Sequence, residues 1–349
     1  MKAEVRLTMF SHGAGCACKL GPADLGSVMG QLGIASMPEE ILVSAETGDD
    51  AAVWRLTDGR ALIATVDVFT PIVDDAYDWG RIAAANAFSD VYAMGGVPAF
   101  SLNVVGWPVD DLPLDLLARV LQGGQDVAAD AGAVVAGGHT ITATEPIYGM
   151  VALGFVDEDD LMRNSTAAPG ERLFLTKPIG TGLIATAIKR ERATAEQTEA
   201  AVRTMTTLNA AAAGAMVEAG AGAATDVTGF GLLGHLRKLL EASGVAARIE
   251  ATLVPTLPGV LDLARAGVVS GGTNRNHAWL SATTDWGALT HPEQLVLADA
   301  QTSGGLLIAT RHADALEVAL DARGVAYAEI GEVVAGRPGA IAVIGRLGE

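Results

Sequence analysis

The stretch Ser11-His12-Gly13-Ala14-Gly15-Cys16-Ala17-Cys18-Lys19 holds both cysteines of a 349-residue chain, one residue apart and followed directly by a lysine. It is too rich in Gly and Ala to anchor a strand and lacks the apolar period of a helix, so a mobile loop is expected. A disulfide between Cys16 and Cys18 would close a very small, strained ring. Two roles are left, a reactive thiol and a metal ligand, and a nearby cation favours the thiolate.

Carboxylates form the second group. Asp49 and Asp50 close the run Glu46-Thr47-Gly48-Asp49-Asp50 at the mouth of a predicted strand, and Asp67 falls at the end of another. Asn86 and Asp90 are one turn apart on a predicted helix and share a face of small residues. Asp226 precedes Thr228 and a glycine-rich helix start. Singly, each reads as a cap, a turn former or a solvated acid. Together they suit Mg²⁺, which takes oxygen ligands, keeps several waters and is shared between a few carboxylates and nucleotide phosphates. Gly137-Gly138-His139-Thr140 offers backbone N–H groups, an imidazole and a hydroxyl to the same phosphates. Lys19 would bring a point charge to the group being transferred.

Positioning these residues requires a sizeable fold. The length suits two domains, and half the residues are apolar, with 42 Gly for tight turns. Strands are predicted over 51–56 and 61–69, joined by an Asp-Gly turn, and a helix over 78–94 ends at Gly95-Gly96. A strand over 99–107, a helix over 114–130 and buried strands over 134–136 and 147–156 follow. The polar run 157–170 reads as a linker. Beyond it come a strand over 172–176, helices over 182–190, 194–218 and 232–242, and strands over 245–250 and 305–309. The alternation predicts α/β or α+β architecture. The expected division is a mobile segment over 1–45, a domain over 46–157, a linker over 158–170 and a second domain over 171–349.

The formal net charge of −18 argues against sequence-independent nucleic-acid binding and means that an anionic substrate would need bound cations. No apolar run is long enough to cross a bilayer and no signal-peptide layout opens the sequence, so no membrane partner is expected, and with only two cysteines a cytoplasmic location is the default expectation. Gly229-Phe230-Gly231-Leu232-Leu233-Gly234 and Gly180-Thr181-Gly182-Leu183-Ile184-Ala185 match dinucleotide-binding fingerprints. The segment over 220–228 is weak as a core strand, and the second match is followed by helix, so both read as helix starts and close packing.

The runs SHGAGCACK, GDDAAV, ANAFSDVYAMGGVP, GGHT, TDVTGFGLLGH and QTSGGLL, in that order and over nearly the whole chain, resemble the selenophosphate synthetase (selenide, water dikinase) family. The wider superfamily, with aminoimidazole ribonucleotide synthetase and thiamine monophosphate kinase, shares the acidic and glycine motifs but lacks the cysteine-lysine loop. The resemblance implies ATP, selenide and water as substrates, with selenophosphate, AMP and phosphate as products and Mg²⁺ as cofactor. By the same resemblance Cys16 and Lys19 are catalytic, and Asp50, Asp90 and Asp226 hold the metal. Nucleotide contacts fall on Lys19, Thr47, Gly48, Asp49, Asp67, Asp90, Gly138, His139 and Thr140. The implied fold is a two-domain chain that forms a homodimer through its N-terminal sheets.

Rival readings are a small-metabolite kinase or ATP-dependent synthetase of the same superfamily, an NAD-dependent oxidoreductase using 229–234, and a zinc or thiol-sensing module on His12, Cys16 and Cys18. The oxidoreductase leaves the cysteine loop and the aspartates unexplained. The zinc module lacks an obvious fourth ligand nearby in the sequence.

Overall fold

The computed structural model describes residues 5–13, 15, 28, 37–44 and 48–348. Two sheets meet around one central helix. The first has strand order β1-β2-β3-β6-β4-β5. Its strands are β1 (Ile41–Val43), β2 (Ala52–Arg55), β3 (Arg60–Phe69), β4 (Val97–Trp107), β5 (Val134–Thr142) and β6 (Ile147–Asp157). All its pairs are antiparallel except β4 with β5, which are parallel and joined by a helical crossover.

Helix α1 (Ala76–Ala93) is buried along nearly its whole length, which explains its run of alanines. It starts at Asp75, whose side chain caps it by accepting from Asp78 N. It crosses α2 (Leu114–Asp130) closely enough that a Cβ at Gly80 would stand 1.9 Å from Val120 O. Trp79 of α1 stacks on Trp107 at 6.5 Å and meets Tyr148 edge-on at 6.1 Å. This packing fixes the azimuth of α1 and so decides where Asn86 and Asp90 point.

The second sheet has the order β10-β13-β9-β12-β7-β11-β8. Its strands are β7 (Arg172–Leu175), β8 (Ala223–Asp226), β9 (Ala246–Glu250), β10 (Thr284–Asp285), β11 (Leu306–Thr310), β12 (Ala328–Val334) and β13 (Ile341–Ile344). Its helices are α3 (Thr181–Lys189), α4 (Ala195–Thr206), α5 (Ala210–Glu218), α6 (Gly231–Ser243), α7 (Val260–Arg265), α8 (Gly271–Leu280), α9 (His291–Leu297) and α10 (Ala313–Ala322). Among the described residues no helix is long and apolar enough to cross a membrane.

Three expectations are corrected. The helix expected over 194–218 breaks between α4 and α5, where tertiary bonds take the backbone and side chains: Lys177 Nζ donates to Thr207 O and Asn209 Nδ2 to Gly304 O. The strand expected to be buried and to end at 136 is an exposed edge strand and continues to Thr142 because β4 keeps pairing with it, so Gly137 to Thr140 lie within β5. A Cβ at Gly138 would stand 2.3 Å from Asn103 O, so only glycine allows β4 and β5 this close there. The segment read as weak for a core strand contains β8, every residue of which is buried. It is the edge strand of the second sheet and packs against α1.

Both fingerprint matches are helix starts filled by the chain itself. Asp299 Oδ2 accepts from Gly182 N and Leu183 N, and Gln301 Oε1 from Gly180 N and Thr181 N. An internal carboxylate thus occupies the place where a pyrophosphate would sit. A Cβ at Gly231 would stand 2.7 Å from Ala298 O, so that motif serves packing as well.

Candidate active site

The acids predicted from the sequence converge where the two sheets face each other. α1 presents Asp90, which accepts from Thr65 Oγ1 of β3 at 2.5 Å. One turn earlier, Asn86 Nδ2 donates to Asp67 Oδ2 at 2.7 Å, and both groups are buried. Asp49 and Asp50 lead into β2 from Gly48, whose φ of +63° suits glycine. From the opposite sheet, Thr225 of β8 donates its hydroxyl to Asp50 Oδ1 at 2.8 Å, and Asp226, 1 % exposed, is the next residue.

Electrostatics confirms the crowding. Burial, then the charges of Asp226, Asp49 and Asp90, push the Asp50 carboxyl well above the ordinary range. Asp49 is pushed up to about 6, chiefly by burial, against hydrogen bonds from the Asn164 and Asp50 backbones and the charges of Arg163 and Lys238. As a residue Asp50 is only half-buried, yet its Oδ2 is enclosed and accepts no hydrogen bond.

Among the described residues no three His, Cys, Asp or Glu side chains form a ready-made metal cage. Mg²⁺ does not need one, since it binds through one or two carboxylates, phosphates and waters. An enclosed carboxylate oxygen without a donor, facing other acids, is a donor set that fits this ion. Beside it a cleft of about 450 Å³ opens at Ser44, Asp49, Asp50, Ala51, Thr65 and Val66.

Gly138, His139 and Thr140 are not brought to this cleft within one chain. They lie exposed on the edge strand β5, three strand spacings or about 14 Å from β3. Cys16, Cys18, Lys19 and Thr47 lie outside the described residues, but the stem of the cysteine loop is placed. Arg6 Nε pairs with Asp74 at 3.0 Å and Arg6 Nη2 reaches Ile188 O at 2.9 Å, so the stem bridges both halves. Lys189 Nζ donates to Ser11 O at 2.5 Å and to Gly13 O at 3.0 Å. Gly15 N donates to Thr70 O at 3.3 Å, and a Cβ on Gly15 would meet Thr302 Oγ1 at 2.6 Å.

Several residues at the site carried no sequence signal of their own. Asn164, in the run read as a linker, donates its N–H to Asp49 and its Nδ2 to Gly48 O at 3.1 Å. Lys238 of α6 crosses the face of Phe230 at 4.8 Å, and its Cε would be 3.0 Å from a Cβ at Gly48. The turn 301–305, part of the quoted QTSGGLL run, contacts the acid-bearing helix through Asn86 Oδ1, which accepts from Ser303 N at 2.8 Å.

"AIR synthase related protein, N-terminal domain" matches residues 48–156 and "AIR synthase related protein, C-terminal domain" matches 168–344. The chain is 47% identical to a selenide, water dikinase of Myxococcus xanthus, covering 97% of each chain. It is 45% identical to that of Bordetella bronchiseptica, covering 99% of this chain and 100% of the relative. Among solved structures, a hydrogenase maturation protein HypE in complex with ATP superposes with a TM-score of 0.62 at 20% identity, covering 84% of both chains. That distant likeness shows the fold. Near-full-length identity at this level, on a chain whose two AIR synthase related domains bring their acids to one junction, establishes that the protein belongs to the selenide, water dikinase family.

Proposed function

We propose that the protein makes selenophosphate from selenide, ATP and water, releasing AMP and phosphate. The observation that carries this reading is the convergence of Asp49, Asp50, Asp90 and Asp226 at the junction where the stem of the cysteine loop is anchored. The names of the relatives identify the reaction, and the HypE structure shows a protein of this fold holding ATP.

In this reading Asp50, Asp90 and Asp226 hold Mg²⁺, with Asp49, Asp67, Thr47 and Gly48 on the nucleotide side. Mg²⁺ supplies charge neutralisation of the polyphosphate. Lys19 adds a second positive charge at the transferring phosphoryl group. Cys16 presents its thiolate to the selenium substrate, and selenide attacks the γ-phosphorus with ADP leaving. Water then cleaves the β-phosphate of that ADP, giving AMP and phosphate.

The reading includes a division into an ATP and Mg²⁺ domain over 46–157 and a second domain over 171–349. It also includes a homodimer. β5 is an exposed edge carrying Val134 and Ile141, and Val66 and Val97 lie exposed on the same sheet. Pairing of this sheet with a second copy would cover the edge and carry Gly138, His139 and Thr140 to the nucleotide held by the partner copy. A cytoplasmic location would keep both thiols reduced.

The test is product analysis under anaerobic conditions. AMP formed only with selenide supports the reading, whereas ADP as the end product makes the chain a small-metabolite kinase.

A further inference from the structure

The turn 301–305 stands between the two halves of the molecule, and Gln301, Thr302 and Ser303 are almost wholly buried. Ser303 has φ +48°, a left-handed conformation that disfavours any residue with a Cβ. The turn is held in this shape from three sides. Asn86 Oδ1 accepts from Ser303 N at 2.8 Å, Asn209 Nδ2 donates to Gly304 O at 2.9 Å, and Val227 N donates to Gly305 O at 2.9 Å.

Beneath it lies Lys177, 7 % exposed, whose ammonium donates to Ser303 O at 3.0 Å and to Thr207 O at 2.6 Å. Burial lowers its pKa to about 7 against the raising charge of Asp226, and the amine donates to two carbonyls from separate segments whether or not it carries the extra proton. We propose that Lys177 is a positioning residue for the phosphoryl transfer: it pins the Thr302–Ser303 turn so that the stem of the cysteine loop is set against the Asn86–Asp67 pair.

The links are continuous. Lys177 holds Ser303, Ser303 holds Asn86, and Asn86 holds Asp67. On the other side of the turn, Thr302 packs against Gly15, whose tight fit beside Thr302 and Ile72 leaves no room for a side chain. Releasing the turn would let residue 15 drift, and Cys16 is attached directly to it. A cavity of about 420 Å³, walled by Thr204, Leu208, Asn209 and Arg323, opens at Lys177 and offers a small amine a route to the same place.

The inference rests on the proposed function, and the test separates the two. In the full-length protein, Lys177→Ala is expected to lower selenide-dependent AMP formation about 100-fold, with the Kd of Mg²⁺-ATP changed less than about threefold. Propylamine is expected to restore about tenfold of the rate, and 1-propanol, which fills the same volume but has one hydrogen to donate where two carbonyls need one each, to restore none. An undiminished rate, an equal loss of ATP affinity, or equal rescue by propanol would overturn the assignment. Should Lys177→Ala not fold, Lys177→Met serves instead: it keeps the apolar stem and removes the donors to Ser303 O and Thr207 O, and a similar drop in rate at unchanged ATP affinity is expected. A full rate in that variant would overturn the inference. Wild-type protein that forms no AMP with selenide overturns the proposed function itself.

Discussion

The hydroxyl of Thr225 donates to Asp50 at 2.8 Å, tying the acidic loop before β2 to the strand that carries Asp226. Asp50 leads into the first sheet, Thr225 belongs to the second, and the two lie far apart in the sequence. The acids proposed to hold Mg²⁺ are therefore assembled only when the two sheets are packed on each other.

Removing this tie should weaken the nucleotide site without unfolding either sheet. Thr225→Val keeps shape and removes the donor, and we expect about tenfold weaker Mg²⁺-ATP binding, the usual range for a hydrogen bond to a charged group. Asp226→Asn should cost more, and only in the presence of the metal. Titration calorimetry with ATP, with and without Mg²⁺, checks both; metal-independent losses would contradict the assignment of Asp226.

The raised carboxyls give a stability signature. Asp49 moves from 3.8 to about 6 on folding, so the stability it contributes is present below 3.8 and is lost as pH rises through about 6. Asp50 acts in the same direction. Asp50→Asn should therefore raise the melting temperature of the metal-free protein at pH 7 by about 2–4 °C or more, and flatten its dependence between pH 4 and 7. Mg²⁺ should remove the advantage of the variant. Thermal melts across that range check this, and a destabilised Asp50→Asn without metal would refute it.

The two thiols should differ. Cys16 follows the anchored Gly15, whereas Cys18 is the neighbour of Lys19. Cys16→Ser should abolish selenide-dependent AMP formation while ATP still binds, and Cys18→Ser should retain substantial activity. Equal losses would refute the asymmetry, and full activity of Cys16→Ser would refute its catalytic role.

If His139 serves the nucleotide held by the other copy, two damaged chains can restore one site. Asp50→Asn and His139→Ala, each impaired alone, should recover about a quarter of wild-type activity after mixing and reassembly, because half the dimers then hold one intact site of two. Recovery no greater than the sum of the separate variants, or a monomer in sedimentation at micromolar concentration, would contradict the shared site.

Much of this was legible in the chain itself. The placement of Asp50, Asp67, Asp90 and Asp226 at the mouths and ends of elements follows from local pattern, because strand alternation, helix period and Gly-Asp turns are short-range properties. Local pattern also showed that the glycine fingerprints at 180–185 and 229–234 are helix starts. It could not show that Asp299 and Gln301 fill the first of them, since that partnership spans more than a hundred residues. β8 was hidden for a related reason: a strand buried by a helix and another strand needs no strong apolar pattern when its residues are as small as Ala223 and Ala224. The roles of Asn164, Lys177, Thr225 and Ser303 were decided by tertiary structure alone. Each acts through a hydrogen bond to a group distant in sequence, and hydrogen bonding over such separations leaves no periodic trace. The distance of His139 from the acids is likewise a matter of strand order, which side-chain pattern does not encode.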